Sequence, residues 1–150
     1  GDWQNGIIYE LDLDTYSDSD MAGVSSPMTC IRSFPHIQTG SANPQLFANP
    51  VQVNGRQMQF SAFYLDLECG EGVETIAGQE PEVGRRWSTD RGKTFGNTVL
   101  QSAGAPGQFV TWPTWRTLGI SRDMIFEISH SLAGPAALQG AWVASTVLAT

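Results

Sequence analysis

Charge is scarce in this sequence: Asp, Glu, Lys and Arg make up 15% of its 150 residues, against about a quarter in an ordinary globular chain. A surface that poor in charge is often covered by a neighbour. Cysteine is scarcer, with Cys30 and Cys69 as the only two. Neither has the spacing of a metal site or a redox pair, so both are expected to be small buried hydrophobes. Histidine is limited to His36 and His130, which lie in different segments with no nucleophile or metal-ligand partner beside them in sequence, so no catalytic role is expected of either. No apolar run approaches the roughly 18 residues of a membrane helix. The chain opens with Gly1-Asp2-Trp3-Gln4-Asn5-Gly6 rather than a signal peptide, and nothing is expected to cross or anchor to a membrane. No fixed-period repeat is present, which argues against a complete propeller.

What is present points to strands. Sixteen Gly, eight Pro and few Lys or Glu favour short strands joined by turns, and 150 residues are enough for one core. Residues 7–13 alternate, with Ile7, Tyr9, Leu11 and Leu13 on one face. Residues 15–26 read as an exposed loop, 28–34 as a strand stopping at Pro35, and 36–54 as a long connection ending in a turn at Asn54-Gly55. In 57–68 the apolar parity changes from Met58 and Phe60 to Phe63, Leu65 and Leu67, which predicts a bulge near Ser61 or Ala62. An exposed acidic loop is expected over 70–81. Further strands are expected at 83–88, 98–101, 108–111, 124–130 and 140–148, where Met124, Phe126 and Ile128 oppose Glu127 and Ser129. Seven or eight short strands imply an all-β fold, a two-sheet β-sandwich, and residues 1–150 are read as a single β domain. Because the chain lacks an initiator Met and starts in mid-pattern, it is expected to be a piece of a longer protein.

The net charge of −7 is uneven along the chain. Residues 1–82 hold 12 acids and 2 bases, a balance of −10, and residues 83–150 hold 3 acids and 6 bases, a balance of +3. Opposite signs on the two halves suit head-to-tail stacking of copies, one acidic and one basic partner, or simply two halves of one sandwich with unequal surfaces.

The sharpest local pattern is Ser88-Thr89-Asp90-Arg91-Gly92-Lys93-Thr94-Phe95, of the form S-x-D-x-G-x-T-aromatic. An Asp in such a turn accepts hydrogen bonds from its own backbone, Gly supplies a positive φ, and the aromatic ring tucks beneath. The pattern resembles the Asp-box hairpin of sialidases and many unrelated β proteins, where it is a folding device. A sialidase would carry several such hairpins, an arginine cluster and a Tyr nucleophile in a much longer chain. The second pattern runs from Trp112 to Asp123, with Trp115 and Leu118 expected in the core, Gly119 permitting a turn, and Arg116, Arg122 and Asp123 placed to pair at the entrance of the next strand, which puts Phe126 and Ile128 in the core.

Taken in order, the hairpin, Gly104-Ala105-Pro106-Gly107-Gln108-Phe109, then Trp115-Arg116-Thr117-Leu118-Gly119-Ile120-Ser121-Arg122-Asp123 and its following strand resemble the C-terminal region of packaged-DNA stabilisation proteins of short-tailed bacteriophages, also described as tail accessory or head-completion proteins. Gly6-Ile7-Ile8-Tyr9-Glu10-Leu11-Asp12 and Arg32-Ser33-Phe34-Pro35-His36 resemble that family's passage from its last propeller-like repeat into the terminal domain. One departure is Arg91 before Gly92, where the family usually has Asp-Gly or Gly-Gly. The resemblance implies the C-terminal part of a longer virion protein, a structural component rather than an enzyme, needing no cofactor. It would be made in the host cytoplasm and sit in the tail or neck. There it would contact other copies in a ring, the portal or adaptor, and distal tail proteins, helping to close the portal channel on packaged DNA.

Other readings are open from the residues themselves. Asp12, Asp14, Asp18 and Asp20 suit Ca²⁺ by ligand type but lack a full calcium-loop pattern, so a solvated acidic loop is expected. Asp66, Glu68 and Glu71 have the chemistry of a hydrolase carboxylate pair, but acids at strand edges beside glycines are commonplace. Trp3, Trp87, Trp112, Trp115 and Trp142 include enough indoles for an exposed row, the basis of an alternative as a carbohydrate-binding β-sandwich module. Arg85, Arg86, Arg91 and Lys93 form a basic cluster for an acidic neighbour or an incidental DNA contact.

Overall fold

Side chains alternate across a strand, so each strand's parity decides what it buries. A computed structural model of the chain describes residues 12, 15, 17–19, 23–39, 55–68, 81–105, 107–108, 110–132 and 136–148. Regular structure among them is all strand: β1 (Ser17–Ser19), β2 (Ser25–Pro27), β3 (Cys30–Ser33), β4 (Ile37–Gln38), β5 (Met58–Glu68), β6 (Glu82–Ser88), β7 (Val99–Ser102), β8 (Thr114–Ser121), β9 (Asp123–His130) and β10 (Ala137–Val147). One sheet has the order β10-β5-β8. The other runs β3-β9-β6-β7, with β4 also on β9. All pairings are antiparallel.

The two sheets face each other across aromatic side chains. Phe63 on β5 lies 4.8 Å from Phe126 on β9, 5.8 Å from Trp115 on β8 and 5.7 Å from Phe34 beyond β3, measured between ring centroids. Met58, Phe60, Leu65, Leu67, Val83, Ala103, Leu118, Met124, Ile128 and Leu132 belong to the same buried cluster. Such ring pairs contribute about 0.5–1.5 kcal/mol each beyond the burial of their area. The chain is an all-β sandwich.

The parity change in β5 is a bulge. Ala62 pairs with Ala144 and Phe60 with Ser145, so β5 carries one extra residue against β10. That residue is Ser61, whose hydroxyl donates to the Ala144 carbonyl at 3.1 Å. On the other side Phe60 faces Gly119 and Ala62 faces Arg116, which gives β8 the extra residue there. Thr117 at φ 58° and Gly119 at φ 97° absorb it. Gly119 therefore bends a strand rather than making the expected turn, and residues 112–123 are largely the strand β8.

Several expectations change. Within 15–26, β1 and β2 pair, with Ser17 opposite Pro27; two three-residue strands of Ser, Asp and Pro leave no apolar alternation to read. The strand before Pro35 ends there as expected, with β3 stopping at Ser33, but the edge continues beyond it: the Phe34 N–H donates to the Phe126 carbonyl at 2.9 Å and β4 pairs again on β9. Residues 108–111 contribute a single bridge, Thr111 to Leu67, while the Gln108 N–H closes a turn on Ala105. Cys30 is exposed on the edge strand β3, not buried. On β9 both faces are covered: Ile125 and Glu127, opposite Phe126 in parity, are each 7% exposed.

The two oppositely charged sequence halves are not halves in space. β5 lies between β8 and β10, and β3 and β4 line β9, so strands from the acidic half pair with strands from the basic one. The expected strand at 7–13 except Asp12, residues 40–54 of the expected connection at 36–54, residues 70–80 of the expected loop at 70–81, and Trp3, Asp14, Asp20, Cys69 and Glu71 lie outside the described residues.

Candidate functional site

The Ser88–Phe95 segment leaves β6 as a closed hydrogen-bond ring. Ser88 Oγ donates to Asp90 Oδ1 at 2.7 Å and accepts from the Gly92 N–H at 2.9 Å. Asp90 in turn accepts from the Thr94 N–H at 2.9 Å and the Thr94 hydroxyl at 2.7 Å. These bonds, that from Ser88 first, hold the Asp90 carboxyl well below the usual carboxylate range. Arg91 at φ 65° and Gly92 at φ 82° are both left-handed, the φ signature of a type I′ turn. Arg91 thus occupies a conformation that a side chain disfavours. A Cβ added to Gly92 would stand 3.4 Å from Ile125 Cδ1, which shows how closely the turn covers β9.

The expected basic cluster is not one surface. Arg85 and Arg86 are adjacent on β6 and therefore point to opposite faces. Arg85 turns inward and is 3% exposed. Its guanidinium carbon sits 4.4 Å from the Trp87 ring centroid, 5.7 Å from Trp115 and 5.9 Å from Phe126. Its Nε and Nη1 have no hydrogen-bond partner among the described residues, and burial pulls its pKa down to about 10. Arg86 turns outward, pairs with Glu127 on β9, and lies over Phe95 at 4.8 Å. Glu127 also accepts from Ser33 Oγ at 2.9 Å, tying β3 to β6 through β9. Only Arg91 and Lys93 of the four remain exposed.

Asp123 does not pair with Arg116 or Arg122. Its carboxylate lies 2.9 Å from His36 Nδ1 and 3.9 Å from Arg91 Nε, joining the Pro35 break and the Ser88–Phe95 turn to the start of β9. Arg116 and Arg122 are exposed and form no ion pair among the described residues. Trp115 and Leu118 are 2% and 3% exposed, and Trp115 Nε1 donates to the Val99 carbonyl at 2.9 Å. His36 and Val99 carried no local signal for these roles, because both contacts join residues from separate segments of the chain.

No group of three or more His, Cys, Asp or Glu converges on a metal geometry among the described residues. Glu68 is exposed and accepts from Gln139 Nε2 at 2.8 Å, and Asp66 is half-buried. His130 is half-buried opposite Cys30, with its pKa lowered by burial. Trp112 and Trp142 are exposed and stack on each other at 5.3 Å and 17°. Each indole therefore spends one face on the other, and the two do not form a side-by-side row for a sugar.

No curated protein matches the chain. The family described as "Bacteriophage P22 Gp10, beta-sandwich" matches residues 44–146, over two thirds of the sequence. That span contains β5 to β9 and all but the last residue of β10, while β1 to β4 precede it. With its two facing sheets and this match, the chain belongs to this family of bacteriophage structural domains.

Proposed function

We propose that this chain is a structural component of the phage particle, at the head-to-tail connector or tail hub, where it helps close the portal channel and retain packaged DNA through protein–protein contacts. The observation that carries this reading is the family match over residues 44–146. The site geometry supports it: the Asp90 carboxylate is committed to its own turn, Trp115 is committed to the core, and Glu127 is committed to an ion pair. These groups hold a rigid sandwich and leave its outer surfaces for contact.

In this reading residues 1–150 are one β domain within a longer virion protein, made in the host cytoplasm and incorporated into the tail or neck. Its neighbours are further copies in a ring, the portal or its adaptor, and distal tail proteins, with DNA contact incidental.

The test is made on particles. Virions assembled without the protein should expose packaged DNA to added nuclease, supplying the full-length protein during assembly should restore protection, and antibodies to this domain should label the neck or tail in electron micrographs. Particles that lack the protein yet keep their DNA protected would sink the channel-closing role.

A further inference from the structure

The outer face of the three-stranded sheet gathers side chains that the core does not use. On β5 Phe63, Leu65 and Leu67 are buried, so Tyr64, Asp66 and Glu68 point away from the core. Register extends that face sideways: Tyr64 is opposite Trp142 on β10 and Thr114 on β8, and Asp66 is opposite Gly140. Leu67 bridges Thr111, and the Leu65 N–H donates to the Pro113 carbonyl, which brings Trp112 alongside Asp66 from the β8 side. The Trp112–Trp142 stack therefore reaches across β5 from both flanks, beside the Asp66 carboxylate. A Cβ on Gly140 would stand 3.2 Å from Trp142 Cη2, so the missing side chain is what lets the indole lie there.

Two kinds of group in this patch are left uncommitted. Each indole gives one face to the other and is still about half exposed, 52% for Trp112 and 49% for Trp142. Asp66 is half-buried and forms no ion pair among the described residues. Glu68, next along the same face, accepts only a neutral amide, that of Gln139, among the described residues. Arg116 shares the face but lies in the Ala62 row, beyond Tyr64 and Thr114. The negative face of an indole and a carboxylate attract the same ligand, a cation. A guanidinium suits them better than an ammonium, because its plane stacks on an indole while its fork meets a carboxylate with two hydrogen bonds. The molecule uses this contact within itself: Arg85 lies 4.4 Å from the Trp87 ring centroid, and Arg86 lies 4.8 Å from that of Phe95 while pairing with Glu127.

We propose that the Trp112–Trp142 stack and Asp66 form a docking site for an arginine side chain presented by a different protein, the guanidinium stacking on an indole and pairing with the carboxylate. Exposed Trp anchors met by Arg are the pairs that dominate binding energy at protein interfaces. A second copy of this chain suits the site poorly, since 15 acids against 8 bases set copies against each other. The inference rests on the reading of this domain as a protein-contact module. Nuclease protection tests the particle role, and a titration of this face alone tests the site.

The probes are the blocked tripeptide acetyl-Leu-Arg-Leu-amide and its lysine and norleucine counterparts. Each is titrated into the isotope-labelled full chain while the indole N–H resonances are followed by NMR, with Trp112→Phe and Trp142→Phe assigning the two signals. The expected result is a saturable shift of both signals with the arginine peptide, a weaker response to lysine and none to norleucine. Asp66→Asn should weaken arginine binding by roughly fivefold or more. Trp142→Ala should abolish it, and both variants should melt near the parent temperature, because both side chains lie on the outer face. No response to the arginine peptide overturns the proposal, as does an equal response to norleucine or binding indifferent to Asp66→Asn. A saturable shift with methyl glucoside and none with arginine overturns it in favour of a saccharide. Shifts that appear when the chain alone is concentrated, and vanish in Asp66→Asn, overturn it in favour of a second copy.

Discussion

Trp115, in the three-stranded sheet, donates its indole N–H to the carbonyl of Val99, the first residue of the edge strand β7 in the facing sheet, at 2.9 Å. The bond crosses the sandwich, so one side chain both fills the core and ties a four-residue edge strand to the opposite sheet. Trp115→Ala should lower unfolding free energy by about 3–5 kcal/mol through the cavity alone. Trp115→Phe keeps much of the ring and loses the hydrogen bond, and should cost roughly 1–2 kcal/mol. Urea denaturation at neutral pH checks both values, and equal losses for Ala and Phe would mean that the bond, not the packing, dominates.

Asp90 makes stability depend on pH in a direction its surroundings fix. Hydrogen bonds from Ser88 and then Thr94 lower its folded pKa below the unfolded value near 4. A carboxyl depressed in this way contributes stability that is full above the unfolded pKa and drains away as pH falls towards the folded one. Below about pH 4 the parent should therefore lose stability faster than Asp90→Asn, whose side chain does not titrate. Urea midpoints for both proteins from neutral pH down to about pH 2 measure the difference, and parallel curves would remove Asp90 from the acid response.

Arg91 holds a φ of 65° in a turn that places Gly at the next position. A branched or long side chain there carries strain of about 1 kcal/mol that glycine does not. Arg91→Gly relieves it, against a smaller gain in unfolded-chain entropy. The Arg91 contact with Asp123 is long, at 3.9 Å, and its side chain is mostly exposed, so little is lost with it. The melting temperature of Arg91→Gly should rise, by an amount equivalent to roughly 0.5 kcal/mol. A fall would show that the guanidinium contributes more through Asp123 than the φ angle costs.

The strands that the sequence revealed are those whose apolar residues keep one parity or switch it once. β5 was legible with its bulge because Met58 and Phe60, then Phe63, Leu65 and Leu67, mark both sides of the shift. β8 was not, because Thr117 and Gly119 break its alternation just where it bends around Ser61. The Ser88-to-Phe95 spacing marked a turn, since its bonds run between residues two and four apart. Arg85 and Arg86 looked like one patch because they are neighbours in sequence, and β6 sends them to opposite faces. The Trp112–Trp142 stack and the His36–Asp123 pair both depend on which strands lie side by side, and that pairing is decided by the whole core.

Arg85 presents the sharpest energetic conflict in the core. Its guanidinium lies against three aromatic rings, an arrangement that contributes about 2 kcal/mol or more when desolvated. Against this stand the removal of a cation from water and two buried guanidinium nitrogens without acceptors among the described residues, each costing about 1–3 kcal/mol. Methionine has a similar length and an apolar tip that fits the same rings, and replacing buried charge by a packed apolar group is often neutral or stabilising. Arg85→Met should therefore match or exceed the parent by about 1 kcal/mol, whereas Arg85→Ala, which opens a void beside Trp87 and Trp115, should lose about 2–3 kcal/mol. The pH dependence has a definite sign as well. A base whose folded pKa is lowered to about 10 from 12.5 binds fewer protons folded than unfolded in that interval, so the parent should gain on Arg85→Met as pH rises through it. Urea unfolding of the three proteins at neutral pH and near pH 10.5 would decide the matter, and a methionine variant markedly weaker than the parent at neutral pH would show that the ring contacts outweigh both burial costs.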